Sequence, residues 1–199
     1  DLRAPLRSID GFSQAVIDEL KDIISPESLD HLARIRQSAG RMGGQIEALL
    51  NLSRLTRSEM KRSEINLSEM AQSILTDLRQ SAPERNVEIS VMPGLRVVAD
   101  AFLIQTVMEN LISNAWKYTG LREIGRIEVG VADRSGQAAF FVRDNGVGFD
   151  MKYKDKLFGV FQRLHSSAEF HGVGVGLASV YRVVKRHGGS VWFEAGVDQ

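Results

Sequence analysis

The chain contains no cysteine, and that absence removes disulfides, thiolate zinc sites and cysteine nucleophiles from consideration. It suits a reducing compartment. Charge of one sign is also missing: Lys+Arg and Asp+Glu both total 25. There is then no whole-chain basic surplus to argue for nucleic acid, and no acidic tail. No apolar run approaches the ~18 residues of a membrane span, so no membrane contact is expected of this segment, and the start carries no signal-peptide pattern. Repeats and low-complexity tracts are absent as well. What remains is a globular composition, 43% hydrophobic and 25% charged over 199 residues, long for one domain and comfortable for two. The chain opens at Asp1 without a methionine, which reads as a fragment or a processed product.

Two helical stretches come first. Leu2, Leu6, Ile9, Phe12, Val16, Ile17, Leu20 and Ile24 recur at helical spacing. Ser25-Pro26 breaks the pattern, and Ser25 or Ser28 is placed to cap the second helix. Leu32, Ile35, Ala39, Met42, Ile46, Leu49, Ser53 and Thr56 then fall on alternating steps of three and four, a heptad seam. Gly43-Gly44 lie inside it at a cost of roughly 1 kcal/mol each against alanine, so packing must supply the stability. A two-helix hairpin cannot bury both faces alone. Dimerisation into a four-helix bundle solves this; a simple intramolecular helical domain is the blander alternative. The charged stretch 57–64 lacks apolar periodicity and reads as a linker, which divides the chain into 1–56 and 65–199.

Beyond the linker the pattern is mixed. Ser68–Leu78 reads as a helix, Val87–Val91 as a half-buried strand and Leu95–Val98 as a short strand. A helix is expected from Asp100 to about Tyr118. Strands follow at Arg126–Val131 and Ala138–Arg143 around a turn at Asp133–Gly136, then a helix over Gly176–Arg186 and a strand over Ser190–Glu194. The fold class is α+β, with helices on one face of a mixed sheet.

On the 100–118 helix, Glu109, Asn110, Ser113, Asn114 and Lys117 share an arc of roughly 140°, while Ile104, Met108, Leu111, Ile112 and Ala115 face the other way. A polar helix face is often only solvated, but this chemistry is particular. An asparagine offers a neutral oxygen that suits Mg²⁺, which keeps most of its waters and shares phosphate oxygens. Lys117 is a point charge for phosphates, and Tyr118 can stack on a base. Asp144-Asn145-Gly146-Val147-Gly148-Phe149 directly follows a strand; its glycines allow close backbone approach, and Asp144 can accept from an amino group. A hairpin or Asx turn is the plain alternative. Gly172, Gly174 and Gly176 alternate up to Leu177 at the start of an apolar helix, whose first amides form a ready anion site. This is neither GxGxxG nor a Walker motif. Between the loops, Phe158 and Phe161 read as anchors of a mobile cover that carries Arg163, His165 and His171.

Four elements in this order resemble sensor histidine kinases, and the run from Met151-Lys152-Tyr153 through Phe158 to His165 is similar to their phytochrome-like branch. Residues 109–118, ENLISNAWKY, resemble the N box, 144–148 the G1 box, 158–161 the F box and 172–177 the G2 box. Asp1-Leu2-Arg3-Ala4-Pro5-Leu6 is similar to the H box from the residue just after its phosphoaccepting histidine. The resemblance implies a dimerisation and histidine-phosphotransfer hairpin, N-terminally truncated, followed by an α/β sandwich of the Bergerat ATP-binding type, C-terminally short. It implies ATP and Mg²⁺, a homodimer, a response-regulator receiver domain as partner, and a cytoplasmic location. By the same resemblance Asn110 coordinates Mg²⁺, Glu109 positions or activates the attacking group, and Asn114, Lys117 and Arg163 contact phosphates. Asp144 reads the adenine amino group, Gly146 and Gly148 shape the base pocket, and Tyr118 and Phe149 pack on adenine. Gly172, Gly174, Gly176 and Leu177 close over the phosphates, and Asp1 orients the imidazole and takes its proton.

Two departures bear on activity. The acceptor histidine belongs immediately before Asp1, and His31, His165, His171 and His187 do not replace it, so this chain is expected to bind ATP without autophosphorylating. Ala4 stands where related hairpins with phosphatase activity carry Thr or Asn, which predicts weak regulator dephosphorylation. A non-catalytic nucleotide-binding dimerisation module, and a Bergerat ATPase of the chaperone, gyrase or mismatch-repair type, are the rival readings. The latter do not normally place an LRAPL hairpin ahead of the pocket.

Overall fold

A computed structural model describes residues 2–57, 59–134, 136–162 and 174–196. The chain divides into two compact units, Asp1–Arg54 and Leu55–Gln199.

The first unit holds α1 (Arg3–Leu20) and most of α2 (Pro26–Arg57). They run antiparallel, because Arg3 pairs with Glu47 near one end while Arg36 reaches Asp10, at 2.8 Å, and Gln14 nearer the other. Between the two capping candidates the geometry selects Ser25, whose Oγ accepts the Ser28 N–H at 3.1 Å. Pro26 follows at the first helical position, where its missing N–H costs nothing. The heptad seam is only partly covered within the pair. Ala39 and Leu52 are buried, but Ile35, Met42 and Leu49 remain 44–45% exposed.

In the second unit the order is β1 (Arg62–Asn66), α3 (Leu67–Ser81), β2 (Val87–Val91), β3 (Arg96–Asp100), α4 (Ala101–Tyr118), β4 (Gly125–Arg134), β5 (Gln137–Asp144) and α5 (Gly176–Arg186). Antiparallel β1 and β3 form one small sheet, in register from Arg62↔Asp100 to Asn66↔Arg96. A second, mixed sheet has the order β2-β4-β5, parallel and then antiparallel. Period-two alternation sets its faces. Ile127 and Val129 point into a core built with Ala71 and Leu75 of α3 and Met108, Ile112 and Ala115 of α4. Arg126 and Glu128 point outward and pair across strands with Glu88 and Arg143.

Two expectations are corrected. Residues 62–64 are not linker but the start of β1. Only Ile65 of that strand is buried, so an edge strand with a charged outer face carries no apolar signal to read. Beside the mixed sheet that was expected, β1 and β3 form a separate two-stranded one. Ser190–Glu194 forms no strand: no ladder pairs it, and its aromatic residues are held by side-chain contacts instead, with Trp192 under the Arg134 guanidinium and Phe193 against Phe149 and Phe158.

Candidate nucleotide site

The site is organised along α4. Asp100 begins the helix, its Oδ1 accepting the Leu103 N–H at 3.1 Å and its Oδ2 the Lys61 N–H at 2.8 Å. Those backbone donors, that of Lys61 first, hold its carboxyl below the usual aspartate range. His187, at the end of α5, accepts the Asp100 N–H on Nε2 at 3.0 Å and donates from Nδ1 to the Val183 carbonyl at 2.8 Å. Both ring nitrogens are engaged, which ties α5 to the start of α4.

With α4 fixed at its start and buried along Leu103, Val107, Met108, Ile112, Ala115 and Trp116, the opposite face is set. Asn110 Nδ2 donates to the Thr106 carbonyl at 2.7 Å. A carbonyl can only accept, so this bond fixes the amide orientation and leaves Oδ1 directed at Gly176, where any β-carbon would collide with it. The first residue of α5 thus lies against the asparagine oxygen, and α5 begins with no side-chain cap on its amides. Asn114 is half-buried one turn further along. Glu109 is exposed and accepts from Gln105 Nε2 at 2.8 Å. The Lys117 ammonium lies 4.2 Å from the centre of the Tyr118 ring, at the far end of the same face.

There the end of β5 meets α4. Asp144 Oδ1 accepts the Gly146 N–H at 2.8 Å. The carboxyl is open to solvent on one side but ringed by protein on the other. That desolvation pushes its pKa up, against the smaller opposing effect of the Gly146 hydrogen bond. A β-carbon at Gly146 would fall 2.6 Å from Asp144 Oδ1 and 2.8 Å from the Tyr118 carbonyl, so this glycine is required by close approach. Gly148 and Gly174 have φ of +62° and +76°, open to glycine at no steric cost. The Phe161 N–H donates to the Gly174 carbonyl at 2.8 Å, which brings the F-box stretch to the loop before α5. Leu177 is half-buried in the first turn of that helix.

The structure therefore brings Asn110 and Gly176 together at one place and Tyr118, Asp144 and Gly146 at another, joined by one helix face. The Phe149 ring packs 5.7 Å from that of Phe193, in a cluster where Phe158 lies 5.1 Å from Tyr181. Asp1, Arg163 and Gly172 lie outside the described residues, as do His165 and His171.

Residues 99–199 match the family described as histidine kinase-, DNA gyrase B- and HSP90-like ATPase, and residues 1–58 match the His Kinase A (phospho-acceptor) domain. The chain belongs to the histidine kinases. Among its curated relatives in that family are cyanobacterial phytochrome B of Nostoc, 35% identical over 98% of this chain and 26% of that protein, and the methanogenesis regulatory histidine kinase FilI of Methanothrix harundinacea, 34% identical over 98% and 22%. The chain thus spans about a quarter of the length of those relatives. Full-length ShkA in complex with AMPPNP shares the fold, with TM-score 0.63 and 22% identity over 98% of this chain and 41% of that one. So does histidine kinase ThkA in complex with the response regulator TrrA, with TM-score 0.61 and 21% identity over 94% and 53%.

Some residues that build this candidate site carry no signal in the sequence. Asn145 Oδ1 accepts the Arg126 N–H at 2.7 Å and its Nδ2 donates to the Ile124 carbonyl at 3.0 Å, stitching the G1 loop to β4. Arg85 donates to the Trp116 carbonyl at 2.7 Å and to Thr119 Oγ1 at 3.2 Å, which holds the end of α4 from behind. No spacing rule marks either role, since both bond to groups remote in sequence.

Proposed function

We propose that this segment is the catalytic core of a sensor histidine kinase. It binds MgATP and passes the γ-phosphoryl group to a histidine imidazole, which by resemblance precedes Asp1, and then to an aspartate of a response-regulator receiver domain. The observation that carries the reading is the two-ended site on α4. The stretch from Asn110 to Tyr118 spans about 12 Å of helix, with an asparagine oxygen and an uncapped helix start at one end and an acceptor carboxylate beside a glycine turn at the other. The first suits phosphates, the second an amino-bearing base.

The donor set also fits a hard cation. Asn110 Oδ1 is a neutral oxygen directed at the start of α5, and among the described residues no cluster of three or more His, Cys, Asp or Glu is placed to hold a metal. A metal at Asn110 is therefore one that arrives with phosphate oxygens, as Mg²⁺ does, and it would neutralise their charge. Within the chain, Asn110 and the amides of α5 orient the phosphates, Lys117 adds charge, and Asp144 fixes the base. Phosphoryl transfer depends chiefly on such positioning and charge neutralisation. The nucleophile must be neutral imidazole, so the role assigned to Asp1 is to orient it and take its proton.

The heptad hairpin supports a homodimer, and the ThkA–TrrA complex in the same fold supports a receiver-domain partner. No helix among the described residues is long and apolar enough to cross a membrane, which accords with a cytoplasmic core. Incubation with labelled ATP tests the reading. The 199-residue chain should bind MgATP and take no label, while a longer chain carrying the histidine should gain acid-labile, base-stable label. Free phosphate would mean an ATPase, and binding without either product a nucleotide-dependent module. On the longer chain, regulator dephosphorylation should be slow, because Ala4 has no group to orient a water.

A further inference from the structure

Arg122 leaves the short turn after α4, where its own N–H donates to the Thr119 carbonyl at 3.0 Å. Its guanidinium extends to the glycine turn after β5: Nε donates to the Asn145 carbonyl at 2.8 Å and Nη2 to the Gly146 carbonyl at 2.9 Å. One rigid fork thus holds two successive carbonyls. A peptide unit is planar, so fixing its C=O also aims the N–H on its other side. The unit that carries the Asn145 carbonyl carries the Gly146 N–H, which donates to Asp144 Oδ1 at 2.8 Å. The unit that carries the Gly146 carbonyl carries the Val147 N–H, which donates to the Tyr118 carbonyl at 3.3 Å. Arg122 therefore sets, through two peptide planes, the direction of the Asp144 carboxylate and its distance from α4.

Other bonds keep the loop in place without setting that direction. The Asn145 side chain bridges to Arg126 and Ile124, and the Asn145 N–H donates to the Arg126 carbonyl at 3.3 Å. These anchor the loop on the β4 side, and none of them bonds to the two peptide units around Gly146. Guanidinium is suited to the task because its donors lie in a fixed plane, whereas an ammonium is a point donor.

We infer that Arg122 is a positioning residue for base recognition, and that it confers selectivity for a 6-aminopurine by orienting Asp144 through the Asn145–Gly146 and Gly146–Val147 peptides. This rests on the nucleotide reading above. Inosine triphosphate carries a carbonyl where ATP carries the 6-amino group, so it reports on Asp144 separately from the phosphate end of the site.

The test is calorimetric titration of the 199-residue chain, with Mg²⁺ present, by ATP and by inosine triphosphate. The unsubstituted chain should prefer ATP. Arg122→Ala should lose about tenfold in ATP affinity, the size of one charge-assisted contact, with inosine triphosphate affinity changed by less than about threefold, so that the preference collapses. Arg122→Lys, which keeps the charge and one donor, should fall between. An equal loss for both nucleotides would make Arg122 merely structural and overturn the inference. If the alanine variant shows no cooperative melt, the lysine variant decides on the same ratio. An unsubstituted chain with no preference for ATP would remove the base-recognition reading itself, before any role of Arg122 is at issue.

Discussion

At Asp144 recognition and stability pull in opposite directions, because the protein packed around the carboxyl penalises the charge that an acceptor for an amino group requires. Its pKa is raised by desolvation. A carboxyl of that kind contributes its stability fully below the unfolded pKa and loses it as the pH rises through the folded value. Asp144→Asn keeps the oxygen that accepts the Gly146 N–H and removes the charge. The nucleotide-free variant should therefore melt higher than the parent near neutral pH, with the difference vanishing below about pH 4, where aspartate is neutral in both states. MgATP affinity should fall at the same time, and a variant that melts lower near neutral pH would contradict the desolvation argument. The two crowded glycines make a second comparison. A methyl at Gly176 meets the far end of the Asn110 side chain, which can swing away, whereas at Gly146 it meets the main-chain carbonyl of Tyr118, which cannot. In urea titrations Gly146→Ala should lose about 1–3 kcal/mol, the usual cost of overpacking, and Gly176→Ala clearly less. The Gly176→Ala chain should instead lose the dependence of ATP binding on Mg²⁺, because the displaced oxygen is the proposed metal contact.

Helix α4 shows how an element is fixed from outside its own sequence. Its cap residue, Asp100, also accepts the Lys61 N–H and offers its own N–H to His187, so the residue before β1, the helix start and the residue after α5 all bond to this one aspartate. Asp100→Ala should cost about 1–2 kcal/mol near neutral pH, the upper range for a lost cap. The sign of its pH dependence is opposite to that of Asp144. The folded-state pKa of Asp100 is depressed, so its stabilisation is present above the unfolded aspartate value and is lost as the pH falls through the folded one. The deficit of the alanine variant should shrink on acidification below about pH 4, and chemical denaturation across that range checks it. The same element shows what sequence can disclose. The apolar stripe of α4, the asparagines opposite it and the glycine turn at Asp144 were legible, because helical spacing and side-chain chemistry are local. β1 was not, because a strand whose residues 62–64 are exposed is defined only by its partner β3. Ser190–Glu194 carries the β-branched and aromatic residues of a strand yet finds its contacts through aromatic rings. Arg122, Asn145 and Arg85 bond to main-chain atoms that only folding brings near, and no residue pattern marks such a bond in advance.

At the scale of the whole molecule, the two units pose different problems of burial. Leu55–Gln199 encloses its own core between α3, α4 and the mixed sheet. The helical unit does not. Along α1, Ile9 and Val16 stand seven residues apart and are 43% and 39% exposed, with Leu2 on the same spacing just before the helix; along α2, Ile35, Met42 and Leu49 recur at seven-residue spacing at 44–45%. A strict seven-residue apolar repeat on each of two antiparallel helices is the requirement for knobs-into-holes packing against further helices, and a second copy of the same hairpin satisfies it by symmetry. Because ordering α1 and α2 would then be coupled to association, their stability should depend on protein concentration, while that of the other unit should not. Sedimentation should show a dimer for the unsubstituted chain and a monomer for Met42→Glu, which puts a charge in the middle of the α2 stripe. The same variant should lose helical circular dichroism on dilution yet bind MgATP as the parent does, since every residue of the nucleotide site lies in the other unit. If Met42→Glu sediments as a dimer, these stripes are not what joins two copies, and the exposed heptads must face a different protein.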